Sequence, residues 1–383
     1  MILEHWLKTE DIRQQTVKTL SENLSMNVAG YRCDTTMIWD VVLKASVERV
    51  SIEATCADLE GVADSNTVRE HLNEALPLAD LRLQEAEMNN ALAASIPVSM
   101  GREKVEVAID FHDEPFYGKT AQVKAITCRG QAKKGTTHFV RIASAYVIWR
   151  QVRLTLAVVY VLPGDATLNI LQRLLARLKT LGFSAKVLYL DKGFASTGIV
   201  RYLTRHHQPA IIACPIRGKD KGTRSLCTGR SSYRTTYTFT DGTLAQLAAV
   251  ATLVPDKSGQ RRRKWVLFIV IHLDWSPHKI YDEYRRRFGI ECSYRLLRQV
   301  RASTTSPNPA LRFFLLGIGL VLVNIWIFLR WEFARALGPG PRRVDPHRFR
   351  FHRFVRFLVR AIEDIYGVVS FIPTHRNPQS VIY

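Results

Sequence analysis

Glu291 lies in the run Tyr284-Arg285-Arg286-Arg287-Phe288-Gly289-Ile290-Glu291, and Arg298 follows seven residues later. At about 100° per helical residue, Tyr284 falls roughly 20° to one side of Glu291, and Arg287 and Arg298 fall roughly 40° and 20° to the other. An acid, two cations and a phenol on one stripe suit a divalent metal at the acid and phosphates along the cations. A solvated face with an Arg287–Glu291 pair one turn apart needs the same spacing. Two aspartates extend the set. Asp110 closes the alternating run Val105-Glu106-Val107-Ala108-Ile109, and Asp191 follows the apolar run Ala185–Leu190. Side chains at the carboxyl ends of neighbouring strands converge on one crevice of an open sheet. Two such aspartates and a helical glutamate could hold two Mg²⁺ ions about 4 Å apart, one activating an attacking oxygen and the other stabilising the leaving oxygen of a phosphodiester. Oxygen ligands without a His/Cys cluster favour Mg²⁺ or Mn²⁺ over zinc. Each aspartate also has a plain structural account. Asp110 could cap a turn built from Asp113, Glu114, Pro115 and Gly118, and Asp191 could pair with Lys192.

These acids need elements to hold them. Ser276-Pro277 reads as a helix N-cap with proline in the first turn, so one helix is expected to carry Tyr284 to Arg298. His138–Trp149 and Val152–Leu162 read as antiparallel strands, and Ala166–Leu181 as a helix. Thr197–Arg205 reads as a short helix, and Ala210–Pro215 and Trp265–His272 as strands. Residues 217–264 are basic, glycine-rich and polar, and read as an inserted, partly β module with a strand at Ser232–Thr240. Residues 1–98 read as helical. Within them, Ser51–Leu72 fits a helix-turn-helix with Gly61 in the turn and an N-cap at Asp64 or Ser65. Ser65, Asn66, Thr67 and Arg69 would then face a major groove. An ordinary αα-hairpin has the same apolar spacing. After Gly338-Pro339-Gly340-Pro341, the basic and aromatic run Arg348–Phe354 could grip a phosphate backbone and stack on bases, or belong to an amphipathic helix that docks by its apolar stripe with its arginines exposed, which is the reading preferred here.

The net charge is 54 − 34 = +20. An excess of that size repels itself and points to a polyanionic partner, nucleic acid before an anionic membrane. Six cysteines, with no C-x2-C pair, argue against a zinc ribbon and a disulfide framework and fit reduced thiols in the cytoplasm. The first residues, Met1-Ile2-Leu3-Glu4-His5, lack the layout of a signal peptide. Phe313–Leu329 is apolar except for Asn324 and sits at the lower edge of a membrane span; a helix buried in a soluble core is the reading preferred here, with no membrane partner.

On Ala108–Gly118, Tyr189–Phe194 and the Tyr284/Arg287/Glu291/Arg298 pattern, the chain resembles the insertion-sequence transposases of the DDE superfamily. The likeness spans roughly residues 100–335. It implies an α/β fold with a ribonuclease H-like catalytic core (99–335) and a β-rich insertion between Asp191 and Glu291, which are 291 − 191 = 100 residues apart. The helical N-terminal part (1–98) would then be the DNA-binding domain, and 336–383 a basic C-terminal tail and helix. The resemblance makes Asp110, Asp191 and Glu291 the catalytic, metal-binding triad for two Mg²⁺ ions, and Tyr284, Arg287 and Arg298 contacts to the DNA backbone. The family's last position is usually lysine; Arg298 keeps the charge and adds bidentate phosphate contact. The implied activity is hydrolysis at transposon ends followed by strand transfer into target DNA. The implied partners are double-stranded DNA, both terminal inverted repeats and target, and a second copy of the chain on that DNA, in the cytoplasm at the nucleoid. A nuclease that cuts without joining strands and a DNA-binding regulator with a retired core are the alternatives.

Overall fold

The computed structural model describes residues 7–30, 33–102, 104–150, 152–218, 222–255, 259–336 and 338–371 of the 383-residue chain. Met1–His5, residues 219–221 of the basic 217–264 segment and residues 372–383 of the expected C-terminal tail lie outside the described residues. The N-terminal part is helical: α1 (Thr9–Asn23), α2 (Thr35–Glu48), α3 (Ile52–Asp58), α4 (Ser65–Ala75) and α5 (Leu81–Ala93). Caps set where these helices begin. Ser51 accepts from Ala54 N–H at the start of α3, and Asp64 accepts from Asn66 N–H at the start of α4. Ile52, Leu59, Val68 and Leu72 are buried between the two short helices, as their spacing demands.

A mixed sheet follows. It contains β1 (Val105–Phe116), β2 (Cys128–Lys133), β3 (Thr136–Trp149), β4 (Val152–Val161), β5 (Ala185–Leu190), β6 (Ala210–Cys214), β7 (Tyr233–Thr238), β8 (Leu244–Pro255) and β9 (Arg261–Ile271). A short helix α6 (Ala121–Ala125) follows β1, and α7 (Thr167–Thr180) and α8 (Thr197–Arg205) cross between β4, β5 and β6. The strand order is β2-β3-β1-β5-β6-β9-β8-β7, with β4 also paired to β3. β3 is antiparallel to β1 and β4, while β5 and β6 run parallel to β1 and to each other. Within 217–264, read as an inserted, partly β module, the strands are not set apart from the main sheet. β9 pairs antiparallel to β6, so β7, β8 and β9 extend the same sheet. Arg261–Lys264, the basic end of that segment, opens β9.

The sheet separates two cores. Ile109, Leu188, Leu190 and Ile212 face α7 and α8. Ala108, Tyr146, Tyr189 and Phe268 face the N-terminal helices together with α9 (Pro277–Tyr284), α10 (Phe288–Leu297), α11 (Pro309–Phe333) and α12 (Phe351–Tyr366). Of the described helices, α11 alone is long and apolar enough to cross a membrane, and its most apolar window is 83% buried inside the protein. Asn324, the polar residue inside its apolar stretch Phe313–Leu329, has a defined task. The β3–β4 register slips where Tyr146 pairs with Thr155, a β-bulge that frees backbone groups. Asn324 takes them: its Oδ1 accepts from Thr155 N–H at 3.1 Å, and its Nδ2 donates to the carbonyls of Thr155 at 2.7 Å and Leu92 at 3.1 Å. Asn324→Leu leaves these groups unpaired in a dry core, so an expected loss of about 3 kcal/mol should appear as a lower urea midpoint with an unchanged slope.

The C-terminal helix docks as the amphipathic pattern predicts. Phe351, Phe354, Leu358 and Ile362 are buried, and α12 packs on α1 and α2. Its end is tied to the α3–α4 turn. Gly61 N–H donates to Tyr366 O at 2.9 Å, Val369 N–H donates to Asp58 O at 2.9 Å, and Leu59 bridges Val368.

Candidate active site

Asp110 stands inside β1, not at its end. The strand runs on to Phe116 because β3 keeps pairing with it as far as Phe116↔His138. The stretch Asp113–Pro115, expected as a turn, is therefore extended. The parallel neighbour is what ends beside Asp110: Ile109 pairs with Leu190, and β5 stops there. Asp191 follows directly and begins a short 3₁₀ turn. Strand alternation places Asp110, His112 and Glu114 on the face that carries α9 and α10.

The helix expected from Ser276 onward begins as read, with Ser276 capping Lys279 N–H and Pro277 in the first turn. It is not one straight helix. A 3₁₀ turn at Arg285–Arg287 separates α9 from α10. Three residues at three per turn add roughly 60° of rotation over an α-helix, so the ideal stripe is bent. Tyr284 is buried, and its hydroxyl donates to Leu190 O at 3.1 Å. Arg287 is buried, whereas Glu291 and Arg298 are exposed. Arg298 caps the end of α10, and no ion pair involves it among the described residues.

Arg287 is the centre that spacing alone did not single out. Its Nη1 lies 2.7 Å from Asp110 Oδ2, and its Nη2 lies 3.8 Å from Asp191 Oδ1 and 3.6 Å from Glu291 Oε1. One guanidinium thus gathers the three carboxylates, which come from β1, the end of β5 and α10. The rings of Tyr284 and Phe288 flank it, 5.5 Å and 5.7 Å from its central carbon. Its Nε is buried without a hydrogen-bond acceptor among the described residues. Burial raises the Asp110 carboxyl to about 6; the Arg287 charge opposes this shift and the Asp191 charge adds to it.

Behind Asp110, His112 is buried with its ring 4.8 Å from that of Tyr294, and Tyr294 shares a hydrogen bond with Ser144 at 2.7 Å. Glu114 pairs with Arg301, and Asp113, on the opposite face, takes a two-point contact from Arg141 at 2.6 and 3.0 Å. Arg301 was not legible as a site residue; its only signal is that it is one of the basic residues following Arg298. Among the described residues no group of three or more His, Cys, Asp and Glu side chains is disposed to hold a metal ion. The three acids are spread around a guanidinium, and that cation occupies the space between them.

Of the other expected contacts, Asn66 and Arg69 are exposed on α4 and Ser65 and Thr67 are half-buried. Arg69 donates to the side-chain carbonyl of Asn66. Asn66 and Arg69 line a cleft whose other wall includes Ser303 and Thr304. Those two residues also line the cleft at Glu114, Arg301 and Arg312, so the clefts meet. No protein-family model and no curated protein matches the sequence. Among solved structures, the chain is similar to a piggyBac transposase in a synaptic complex with hairpin DNA, at 11% identity and a TM-score of 0.57, over 95% of this chain and 80% of that one. This α/β chain therefore shares its fold with a transposase.

Proposed function

We propose that the protein is a DNA transposase of the insertion-sequence type, with Asp110, Asp191 and Glu291 as its catalytic carboxylates. The observation that carries this reading is their meeting on one buried cation from three separate elements. The order β4-β3-β1-β5-β6, antiparallel on one side of β1 and parallel on the other, supports a ribonuclease H-like core. The shared fold with a transposase captured on hairpin DNA supports the same reading.

The donor set suits Mg²⁺ or Mn²⁺, which take hard oxygen ligands. A bound pair of such ions supplies an activated attacking oxygen and a stabilised leaving oxygen. Asp110 and Asp191 would hold them, with Glu291 completing the set. Arg287 must then withdraw from between the acids. Its unaccepted Nε shows that the position leaves part of its hydrogen-bonding capacity unused, and an entering phosphate would offer it a bidentate partner. Arg287 and the ions therefore compete. In Arg287→Ala, Mg²⁺ should raise the melting temperature more than it does in the wild type. An equal or smaller rise would show that the acids do not bind the ion where the guanidinium stands.

The basic surface agrees with a DNA partner. Beyond the row Cys214–Leu267–Ala249–Tyr233, β8 and β9 continue alone from Val250↔Val266 to Pro255↔Arg261. This ribbon reaches roughly 20 Å past the edge at which Asp191 leaves β5. Residues 250–266 carry five cations and one acid, 5 − 1 = +4. On the other side of the acids, the joined clefts lead to α4. In this reading α4 engages the transposon end, and two copies of the chain act together on a pair of ends. The reading is tested with purified protein, Mg²⁺ and the DNA ends flanking its reading frame. Nicked and joined products are expected. Nicks without joining would leave the nuclease reading, and binding without any Mg²⁺-dependent nick would leave the regulator.

A further inference from the structure

α12 has a second face. Its apolar side is used up against α1 and α2, with Phe351, Phe354, Leu358 and Ile362 each at most 7% exposed. The opposite side carries Arg353, Arg356 and Arg360, all exposed. On a helix these three fall within roughly 60° of one another and span roughly 10 Å. Among the described residues none of them has a carboxylate partner. Asp364 stands one turn beyond Arg360 and forms no ion pair with it. The surrounding segment is strongly basic: residues 342–360 hold seven arginines and one acid, 7 − 1 = +6. Three like charges on adjacent turns repel one another, and no acid of the fold relieves them.

The position of this stripe is fixed. The end of α12 is hydrogen-bonded to the α3–α4 turn through Gly61 N–H and Tyr366 O at 2.9 Å. Lys44 of α2 adds an ion pair to Glu363 at 2.8 Å. The stripe therefore begins roughly 9 Å from that anchor and runs away along the helical layer. A basic amphipathic helix can also lie on an anionic membrane, but only with its apolar face free. Here that face is already covered.

We propose that Arg353, Arg356 and Arg360 form a sequence-independent contact for the phosphate backbone of duplex DNA, flanking the duplex that α4 engages. The inference rests on the DNA-binding part of the function proposed above and not on cleavage. Full-length Arg353→Gln/Arg356→Gln/Arg360→Gln protein is compared with the wild type by fluorescence anisotropy, using a labelled mixed-sequence DNA duplex over a salt series. The slope of log K against log salt should become shallower by about 2 to 3. The triple lysine variant should keep the wild-type slope, and the melting temperature of both variants should match the wild type. An unchanged slope in the glutamine variant overturns the proposal. So does weaker binding to phosphatidylserine vesicles with DNA binding intact. A wild-type protein without salt-dependent DNA binding sinks the DNA reading and this contact together. Absent cleavage with the expected slope change sinks only the transposase reading.

Discussion

Asp110→Asn, Asp191→Asn and Glu291→Gln should each lower Mg²⁺-dependent nicking by about 10³-fold or more, the scale on which several kcal/mol of charge stabilisation at a reacting phosphate is lost. The fold should survive all three. Each replacement keeps the shape of the side chain, and Arg287 retains two carboxylates in every single variant. Binding to DNA at low salt should stay within a few-fold of wild type, because the basic surfaces lie elsewhere. Double variants should lose little more than single ones, since groups that act as a unit are strongly non-additive. Initial nicking rates on a supercoiled substrate, with gel shifts alongside, check this. Full activity in any one variant would remove that residue from the triad, and full activity in all three would end the proposed mechanism.

The second large effect is on the helical layer. Lys44 is fully buried, and its Nζ lies 2.9 Å from Glu48, 2.9 Å from Asp58 and 2.8 Å from Glu363. Burial works against its charge, but the three carboxylates outweigh burial and raise the ammonium above its ordinary value. Lys44→Met leaves three acids facing one another without a cation. The expected cost is about 3 kcal/mol, at the low end for breaking a buried pair because the acids keep some contact with water. Asp58 belongs to α3 and Glu363 to α12, so the loss should also loosen the C-terminal helix. Thermal unfolding gives the first number, and faster tryptic cleavage near Arg342–Arg350 reports the second. Adding Glu363→Gln to Lys44→Met should recover part of the stability, because it removes one of the repelling charges. A Lys44→Met protein as stable and as protease-resistant as wild type would show that the buried cation holds nothing together.

Much of the fold was readable because it is written in local patterns. The alternation before Asp110, the apolar run before Asp191 and the Ser276-Pro277 start each follow from side-chain period or capping. The same holds for α7, α8 and the α3–α4 pair, whose limits lie within a few residues of the reading. The misplacements have physical reasons. Asp113, Glu114 and Pro115 have turn chemistry, yet long-range pairing with β3 keeps them extended. Arg261–Lys264 reads as the basic end of an inserted module, but an edge ribbon lets such side chains point to water from both faces of a strand. The bend at Arg285–Arg287 falls inside a run whose local pattern is continuous with a helix.

By itself the sequence determined where most strands and helices begin, and it offered the candidate acids and, in its +20 charge, the expectation of an anionic partner. Local periodicity and electroneutrality suffice for that. Only the tertiary structure decided that Arg287, 177 positions from Asp110, is the cation on which the acids meet. It also decided that α12 joins the N-terminal helices through Lys44, and that Asn324 repairs a bulge in β4. These are pairings of buried charge and unsatisfied backbone across the fold. Their partners are selected by the distances that packing creates, and no spacing along the chain encodes those distances.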